Sequence, residues 1–151
     1  MRLYLAGPLF TQTELGFNAR LAALIEEMGY EVYLPQRDGV PAGTTLGPVT
    51  GAVAQKVFDL DAEHVLACDV LLCVLDGRVP DEGMAVEVGL AYADRIHEQH
   101  NRKLIGYTTD WRYVTDDAFN PMLLGALDEI HHDETMLLDR LRVLIAERGA
   151  G

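Results

Sequence analysis

The chain alternates short apolar runs of strand length with longer segments in which apolar residues recur at helical spacing. The short runs predict strands at residues 3–6, 31–34, 69–75 and 103–107. The helical spacing predicts helices at 15–28, 51–68, 83–99 and 133–147, and a short helix that begins at Asn120 and Pro121. Residues 36–48 and 108–119 have neither pattern and are predicted to be long loops.

Strands that alternate with helices indicate an α/β fold. We expect a single domain over residues 1–151, with one doubly wound parallel sheet of about five strands and helices on both faces. In such sheets the functional site lies at the carboxyl ends of the strands. The segments that follow the four strands are therefore expected around one cleft, and they are residues 7–8, 35–38, 76–81 and 108–110.

Composition narrows the possible partners. Hydrophobic residues make up 49% and charged residues 24% of the chain, as in ordinary globular domains. The formal net charge of −12 argues against binding to nucleic acid or to an anionic membrane. The two cysteines, Cys68 and Cys73, lie in apolar segments and are expected in the core. With no run of membrane-spanning length and a first apolar run too short for a signal peptide, we expect a cytoplasmic protein.

The histidines suggest a metal site only superficially. His97 and His100 lie near the end of a predicted helix, and His131 and His132 precede Asp133 in a turn. No third ligand is spaced to complete either group, so we interpret both as solvated surface and expect no metal.

Glu87 is the strongest chemical signal in the sequence. On its predicted helix the neighbours three and four residues away are Gly83, Met84, Leu90 and Ala91, none of which is charged. A glutamate is rarely buried without a partner. Glu87 therefore lines a cleft or is contacted by a group from elsewhere in the chain, unless it belongs to a short exposed stripe.

Asp61 is a second acid in an apolar setting. It is the only charge in a helical stripe formed by Ala54, Val57, Val65 and Cys68. It is either a functional carboxylate or a residue at the flank of the helix bonded to His64, and its position alone does not decide between them. Two carboxylates at one site are typical of enzymes that cleave glycosidic bonds.

Six segments in order carry a resemblance to a known family. They are Tyr4-Leu5-Ala6-Gly7-Pro8-Leu9-Phe10, Leu34-Pro35-Gln36-Arg37-Asp38-Gly39, Asp61 ahead of Asp69-Val70, Asp81-x-Gly83-x-x-x-Glu87-x-Gly89-x-Ala91-Tyr92, Tyr107-Thr108-Thr109-Asp110-Trp111-Arg112 and Asn120-Pro121-Met122. Through them the chain resembles the nucleoside 2-deoxyribosyltransferase family over most of its length.

The resemblance implies a flavodoxin-like or Rossmann-like fold and a cytoplasmic salvage enzyme that moves 2-deoxyribose between bases without a cofactor. It implies that Glu87 is the nucleophile, that Tyr4 holds it, and that Asp61 and Asp81 lie beside the substrate. Asn120 would reach the sugar from a neighbouring subunit of a homo-oligomer built on a dimer. Further substrate contacts are expected from Gly7, Gln36, Arg37, Asp38, Gly83 and Met122, and which of residues 36–38 faces the base stays open.

The chemistry of these side chains fits the implied reaction. A deoxyribosyl C1′ becomes oxocarbenium-like as the base leaves, and a nearby carboxylate stabilises it. Covalent capture by Glu87 would divide the exchange into two steps, with retention of configuration. Asp81 could protonate the departing base. Tyr4 could orient Glu87 by a hydrogen bond, or it could simply pack in the core.

Two other functions stay open at this point. A nucleoside 5′-monophosphate N-glycosidase would need a phosphate cradle after the first strand, but residues 7–12 hold no basic side chain and Pro8 has no N–H group. A nucleotide-sensing module would bind the ligand without cleaving it.

The apolar run Met122-Leu123-Leu124 bears on assembly. Three consecutive large apolar residues on a short helix cannot all face one core, so at least one is expected to point outward. This favours a two-fold dimer with shared sites over a monomer in which the helix covers its own sheet edge.

Overall fold

The computed structural model describes residues 1–39, 51–98, 100–113 and 119–149. The elements in chain order are β1 (Arg2–Ala6), α1 (Gln12–Glu26), β2 (Glu31–Tyr33), α2 (Pro35–Asp38), α3 (Gly51–Ala67), β3 (Val70–Val74), α4 (Glu82–His97), β4 (Lys103–Tyr107), a 3₁₀ turn (Trp111–Tyr113), α5 (Pro121–Ala126), β5 (Glu129–His131) and α6 (Glu134–Gly149). The strands form one sheet in the order β2-β1-β3-β4-β5, and every pairing is parallel. The predicted α/β fold is confirmed.

The differences from the predicted elements have local causes. α1 begins at Gln12, three residues early, because Thr11 caps it together with Glu14 in a capping box. The strand β5 was not located in the sequence because its three residues are all half-buried and Ile130 is the one apolar residue among them. The single turn of α2 occupies the start of a predicted loop, and the rest of that loop, except Gly39, lies outside the described residues.

Two apolar layers enclose the sheet, because successive side chains of a strand point to opposite faces. On one face Leu3 and Leu5 of β1 pack with α1 and α6. On the other face Tyr4 and Ala6 pack with α3, α4 and α5. Cys68 and Cys73 are free and buried in this second layer, as predicted. Tyr4 is therefore directed towards the helices that carry Asp61 and Glu87.

The strand order reverses between β1 and β3, which pair side by side although β2 lies between them in the chain. In doubly wound sheets a crevice for ligands opens outside the carboxyl ends of such a strand pair. Gly7, directly after β1, has a φ of +154°, and a Cβ atom there would lie 2.8 Å from Cβ of Val74 at the end of β3. Glycine at this position permits the close approach of the two strand ends.

Candidate active site

Glu87 has a hydrogen-bond partner on a strand of the sheet. The hydroxyl group of Tyr4 on β1 donates a hydrogen bond of 2.6 Å to Oε1 of Glu87 on α4. Tyr4 is fully buried, and Glu87 is half-buried at the second turn of its helix. Glu87, for which the sequence offered no charged neighbour on its own helix, is thus contacted by Tyr4, which lies 83 residues earlier in the chain.

The surroundings of Glu87 raise the pKa of its carboxyl group. Burial raises its pKa to about 7, the hydrogen bond from Tyr4 acts in the opposite direction, and the charges of Asp61 and Asp81 raise it further. Burial and the same carboxylate raise the pKa of Tyr4 far above its ordinary value. Tyr4 therefore stays a protonated donor at neutral pH, while about half of Glu87 is ionised.

Asp61 has a tyrosine partner of its own. The hydroxyl group of Tyr33 on β2 donates to Oδ1 of Asp61 over 3.1 Å. The ring of His64 stacks on Tyr33 with 3.7 Å between the centroids, so His64 is not the hydrogen-bond partner that the sequence suggested as an alternative. Burial raises the pKa of Asp61, and the bond from Tyr33 opposes that rise.

Asp81 is the N-cap of α4. Its Oδ1 accepts a hydrogen bond of 2.8 Å from the backbone N–H of Met84, at the positive end of the helix dipole. Gly83 is close by, since a Cβ atom there would lie 3.1 Å from Oδ1 of Asp81. Asp81 is near enough to Glu87 to raise its pKa.

Gln36 is engaged with α1. Its Nε2 donates to the backbone oxygen of Leu15 over 2.8 Å, and its Oε1 accepts from Nδ2 of Asn18 over 3.2 Å. The buried Asn18 also donates to the backbone oxygen of Pro8. This network joins the ends of β1 and β2, as expected for segments around one cleft.

Arg37 and Asp38 bind each other. Their shortest contact, from Nε to Oδ1, is 2.8 Å, and Arg37 also pairs with Glu26 and donates to the backbone oxygen of Val32. Asp38 accepts a further bond from the backbone N–H of Leu34. These contacts hold both side chains against α1 and β2.

Asn120 and Met122 lie on the other side of α4. Asn120 is the N-cap of α5, and its Oδ1 accepts from the backbone N–H of Met122. Both residues line an apolar groove of about 680 Å³ between α4 and α5, together with Ala85 and Gly89 of α4. Those two residues are each two positions from Glu87 and therefore lie on the opposite face of the helix.

The side chain of Met122 is turned outward. It is 83% exposed, whereas Leu123 is buried. The prediction that at least one residue of the apolar run points away from the core is confirmed.

Two site residues were missed in the sequence, and their signals differ. Asn18 is a polar residue in the apolar stripe of Leu21, Ala22 and Ile25, and the helical spacing alone could have identified it. Tyr33 carries no such signal. Its importance depends on the pairing of β1 with β2, which places Tyr33 directly opposite Tyr4.

Across residues 1–39, 51–98, 100–113 and 119–149, no group of three or more His, Cys, Asp or Glu residues could hold a metal ion. His100 instead pairs with Asp94 over 2.7 Å. In the same ranges, every helix is too short or too polar to cross a membrane.

A parallel α/β sheet with two half-buried carboxylates near its switch point is typical of proteins that act on a glycosidic bond. Comparison with known sequences specifies the family. The model of the nucleoside 2-deoxyribosyltransferase family matches residues 3–141, and the chain belongs to this family. Its members are enzymes that act on N-glycosidic bonds of nucleosides or nucleotides.

A relative of similar length is an uncharacterized protein of Ureaplasma parvum, which is 26% identical over 154 residues that cover 97% of this chain and 96% of the relative. Among solved structures, a conserved protein from Enterococcus faecalis is 27% identical with a TM-score of 0.77, over 94% of this chain and 97% of that chain.

Two more distant structures share the fold. The 2-deoxyribosyltransferase of Bacillus psychrosaccharolyticus is 20% identical with a TM-score of 0.72, over 91% of this chain and 90% of that chain. The CMP N-glycosidase of Clostridium botulinum is 20% identical with a TM-score of 0.55, over 95% of this chain and 99% of that chain.

Proposed function

We propose that the protein is a nucleoside 2-deoxyribosyltransferase, which moves 2-deoxyribose from a deoxynucleoside to another purine or pyrimidine base. The observation that carries this proposal is the hydrogen bond from Tyr4 to the half-buried Glu87, beside the carboxylates Asp61 and Asp81. A poorly solvated carboxylate held by one strong donor is suited to attack a cationic carbon and then to leave it.

In the first step Glu87 attacks C1′ of the deoxynucleoside. A C1′–O bond forms, the C1′–N bond breaks, and its electron pair leaves with the base. Asp81 supplies the proton that a departing purine nitrogen needs. Asp61 places negative charge near the sugar as C1′ becomes cationic.

In the second step a nitrogen of the incoming base attacks C1′ from the side that the first base left. The C1′–O bond breaks and Glu87 is released as a carboxylate, so that two inversions give retention. Asp81 takes up the proton that the incoming base loses. Tyr4 donates its hydrogen bond most strongly to the ionised Glu87, and it therefore favours both the start and the end of the cycle.

Cleavage of a nucleoside monophosphate is the second candidate, because the chain shares its fold with a CMP N-glycosidase. The start of α1 argues against a phosphate there. Oε2 of Glu14 already accepts hydrogen bonds from the backbone N–H groups of Phe10 and Thr11, over 2.9 and 2.7 Å. A phosphate would have to displace this carboxylate from the donors it needs.

One incubation separates transfer from the alternatives. The protein is mixed with deoxyinosine and free adenine, and the products are separated by chromatography. Transfer gives deoxyadenosine and hypoxanthine. A hydrolase that accepts the nucleoside gives hypoxanthine and free sugar without deoxyadenosine. A monophosphate N-glycosidase releases hypoxanthine when deoxyinosine 5′-monophosphate replaces deoxyinosine, and a sensing module leaves every compound unchanged.

We also propose a homo-oligomer built on a two-fold dimer with shared sites. Within one chain, Asn120 lines the face of α4 opposite Glu87, which supports a role of Asn120 in a partner's site rather than in its own. The apolar groove and the exposed Met122 offer a surface that a second copy would cover. The alternative is a monomer whose α5 only covers its own sheet edge.

A further inference from the structure

We propose that Tyr33 is a positioning residue that holds Asp61 in the active site through its hydroxyl group, while its ring links that carboxylate to the Tyr4–Glu87 pair. The catalytic part of this role rests on the proposed function. The hydrogen bond and the ring stack that carry it do not depend on which reaction the protein performs.

Two tyrosines on neighbouring strands form the centre of the arrangement. Tyr4 and Tyr33 are partners in the register of β1 and β2, and their rings stack with centroids 5.3 Å apart and planes 25° apart. His64 stacks on Tyr33 at 3.7 Å and 16°. Tyr33 therefore lies between two rings, and its orientation is fixed by packing on both of them.

The two hydroxyl groups serve different helices. Tyr4 donates to Glu87 of α4 over 2.6 Å, and Tyr33 donates to Asp61 of α3 over 3.1 Å. Each partly buried carboxylate thus receives one donor from one strand. Because the two strands are in register, the two donors lie side by side on one face of the sheet.

The charges around Tyr33 explain why a donor is needed here. Burial and, after it, the charges of Asp61, Asp38 and Glu87 raise the pKa of the Tyr33 hydroxyl group far above its ordinary value. Tyr33 therefore keeps its proton and always faces Asp61 as a donor. His64 lies nearby and opposes the rise caused by burial, because its charge lowers the pKa of Asp61.

Loss of the Tyr33 hydroxyl group should raise the pKa of Asp61 further. Burial raises the pKa of Asp61, and the bond from Tyr33 is the first influence that opposes this rise. Without that bond Asp61 protonates at a higher pH and is free to turn away from the sugar. We expect kcat/KM to fall roughly tenfold or more, which is the range for a lost hydrogen bond to a charged group.

The test measures the carboxyl group directly. The protein is labelled with ¹³C in the aspartate carboxyl carbons, and Asp61→Asn identifies the resonance of Asp61. The pH midpoint of that resonance is compared between wild type and Tyr33→Phe, which keeps the ring. Tyr30→Phe is the matched control, because the hydroxyl group of Tyr30 is also buried but donates to the backbone oxygen of Leu141 on the other face of the sheet.

The expected result is a higher Asp61 midpoint in Tyr33→Phe and an unchanged one in Tyr30→Phe. An unchanged midpoint in folded Tyr33→Phe overturns the inference. If Tyr33→Phe does not fold, the effect of Asp61 on Tyr33 is measured instead. Asp61→Asn then shifts the ¹³Cζ resonance of Tyr33 and not that of Tyr30, and equal behaviour of the two tyrosines overturns the inference.

The outcome is independent of the proposed function. If wild type exchanges no bases while the Asp61 midpoint still responds to Tyr33→Phe, the proposed function fails and the positioning role stands. If exchange is observed while the midpoint is unaffected, the positioning role fails alone.

Discussion

Tyr4 and Glu87 are 83 residues apart in the chain and are joined by a hydrogen bond of 2.6 Å. The donor belongs to a central strand and is fully buried, while the acceptor lies on a helix that packs on the same face. The position of the carboxylate is therefore set by the packing of α4 on the sheet. A change in that packing would alter the geometry of Glu87 without any change in its own helix.

The first prediction concerns Glu87 as the nucleophile. Glu87→Ala is expected to lose base exchange by a factor on the order of a thousand or more, because the covalent route is closed. Chromatography of deoxyinosine and adenine mixtures measures the loss. Wild type incubated with a deoxynucleoside should gain the mass of one deoxyribosyl unit, and the variant should not.

Glu82→Gln is the control for this experiment, since Glu82 is an exposed acid on the first turn of the same helix. It should retain exchange activity. Full activity in a folded Glu87→Ala protein would reject the assignment of the nucleophile.

The second prediction concerns pH. The pKa of Glu87 is raised to about 7, so kcat/KM should fall as the pH drops below that value and Glu87 becomes protonated. Tyr4→Phe removes a hydrogen bond that lowers this pKa. The acid limb of the pH profile, in which kcat/KM falls with falling pH, should therefore move to higher pH. Tyr30→Phe should leave the limb in place. An acid limb that does not move in Tyr4→Phe would show that another group controls the profile.

The sequence predicted the fold more completely than the site. Periodicity located β1 to β4 because each lies in a run of apolar residues, and it missed β5, whose three residues are all half-buried. Glu87 and Asp61 could be identified because charge is unexpected on an apolar stripe. The partners Tyr4 and Tyr33 could not be derived in the same way, since an aromatic residue in a strand is ordinary and its hydrogen bond depends on tertiary packing.

The side-chain contacts of the segment after β2 could not be predicted from the sequence. The resemblance to the family made Gln36, Arg37 and Asp38 candidates for contact with the base, and these roles stay predictions. The turn of α2 directs Gln36 to Leu15 and joins Arg37 to Asp38, and no periodicity predicts such a turn in four residues.

The third prediction is a stability difference with a defined pH window. The pKa of Glu87 is raised from 4.5 in the unfolded chain to about 7 in the folded protein, so the folded state binds more protons between these values. The free energy of unfolding of wild type should therefore fall as pH rises through this window. At pH 8 Glu87→Gln should be more stable than wild type by up to about 3 kcal/mol, and the difference should vanish near pH 4.

Urea unfolding at several pH values measures this difference, with Glu82→Gln as the control that should show no such trend. A constant difference between Glu87→Gln and wild type from pH 4 to pH 8 would contradict the burial of an ionisable Glu87.

The fourth prediction concerns the sugar. A 2′-hydroxyl group withdraws electrons from the developing cation at C1′, and it would also crowd the adjacent Glu87. We expect deoxyadenosine to be turned over in preference to adenosine, by a factor on the order of a hundred. Parallel kcat/KM measurements with the two nucleosides test this. Equal values would indicate a broader glycosidase.

The last prediction concerns the shared site. Asn120 lines the face of α4 opposite Glu87, so a complete site is expected to combine Glu87 of one chain with Asn120 of another. Glu87→Ala and Asn120→Ala proteins should each be nearly inactive, and co-expression should restore part of the activity, because a mixed dimer holds one site with both residues intact. Co-expressed Glu87→Ala and Tyr4→Phe, which alter the same half of the site, should show no such gain. A monomer in sedimentation, or no recovery in verified mixed dimers, would exclude the shared site.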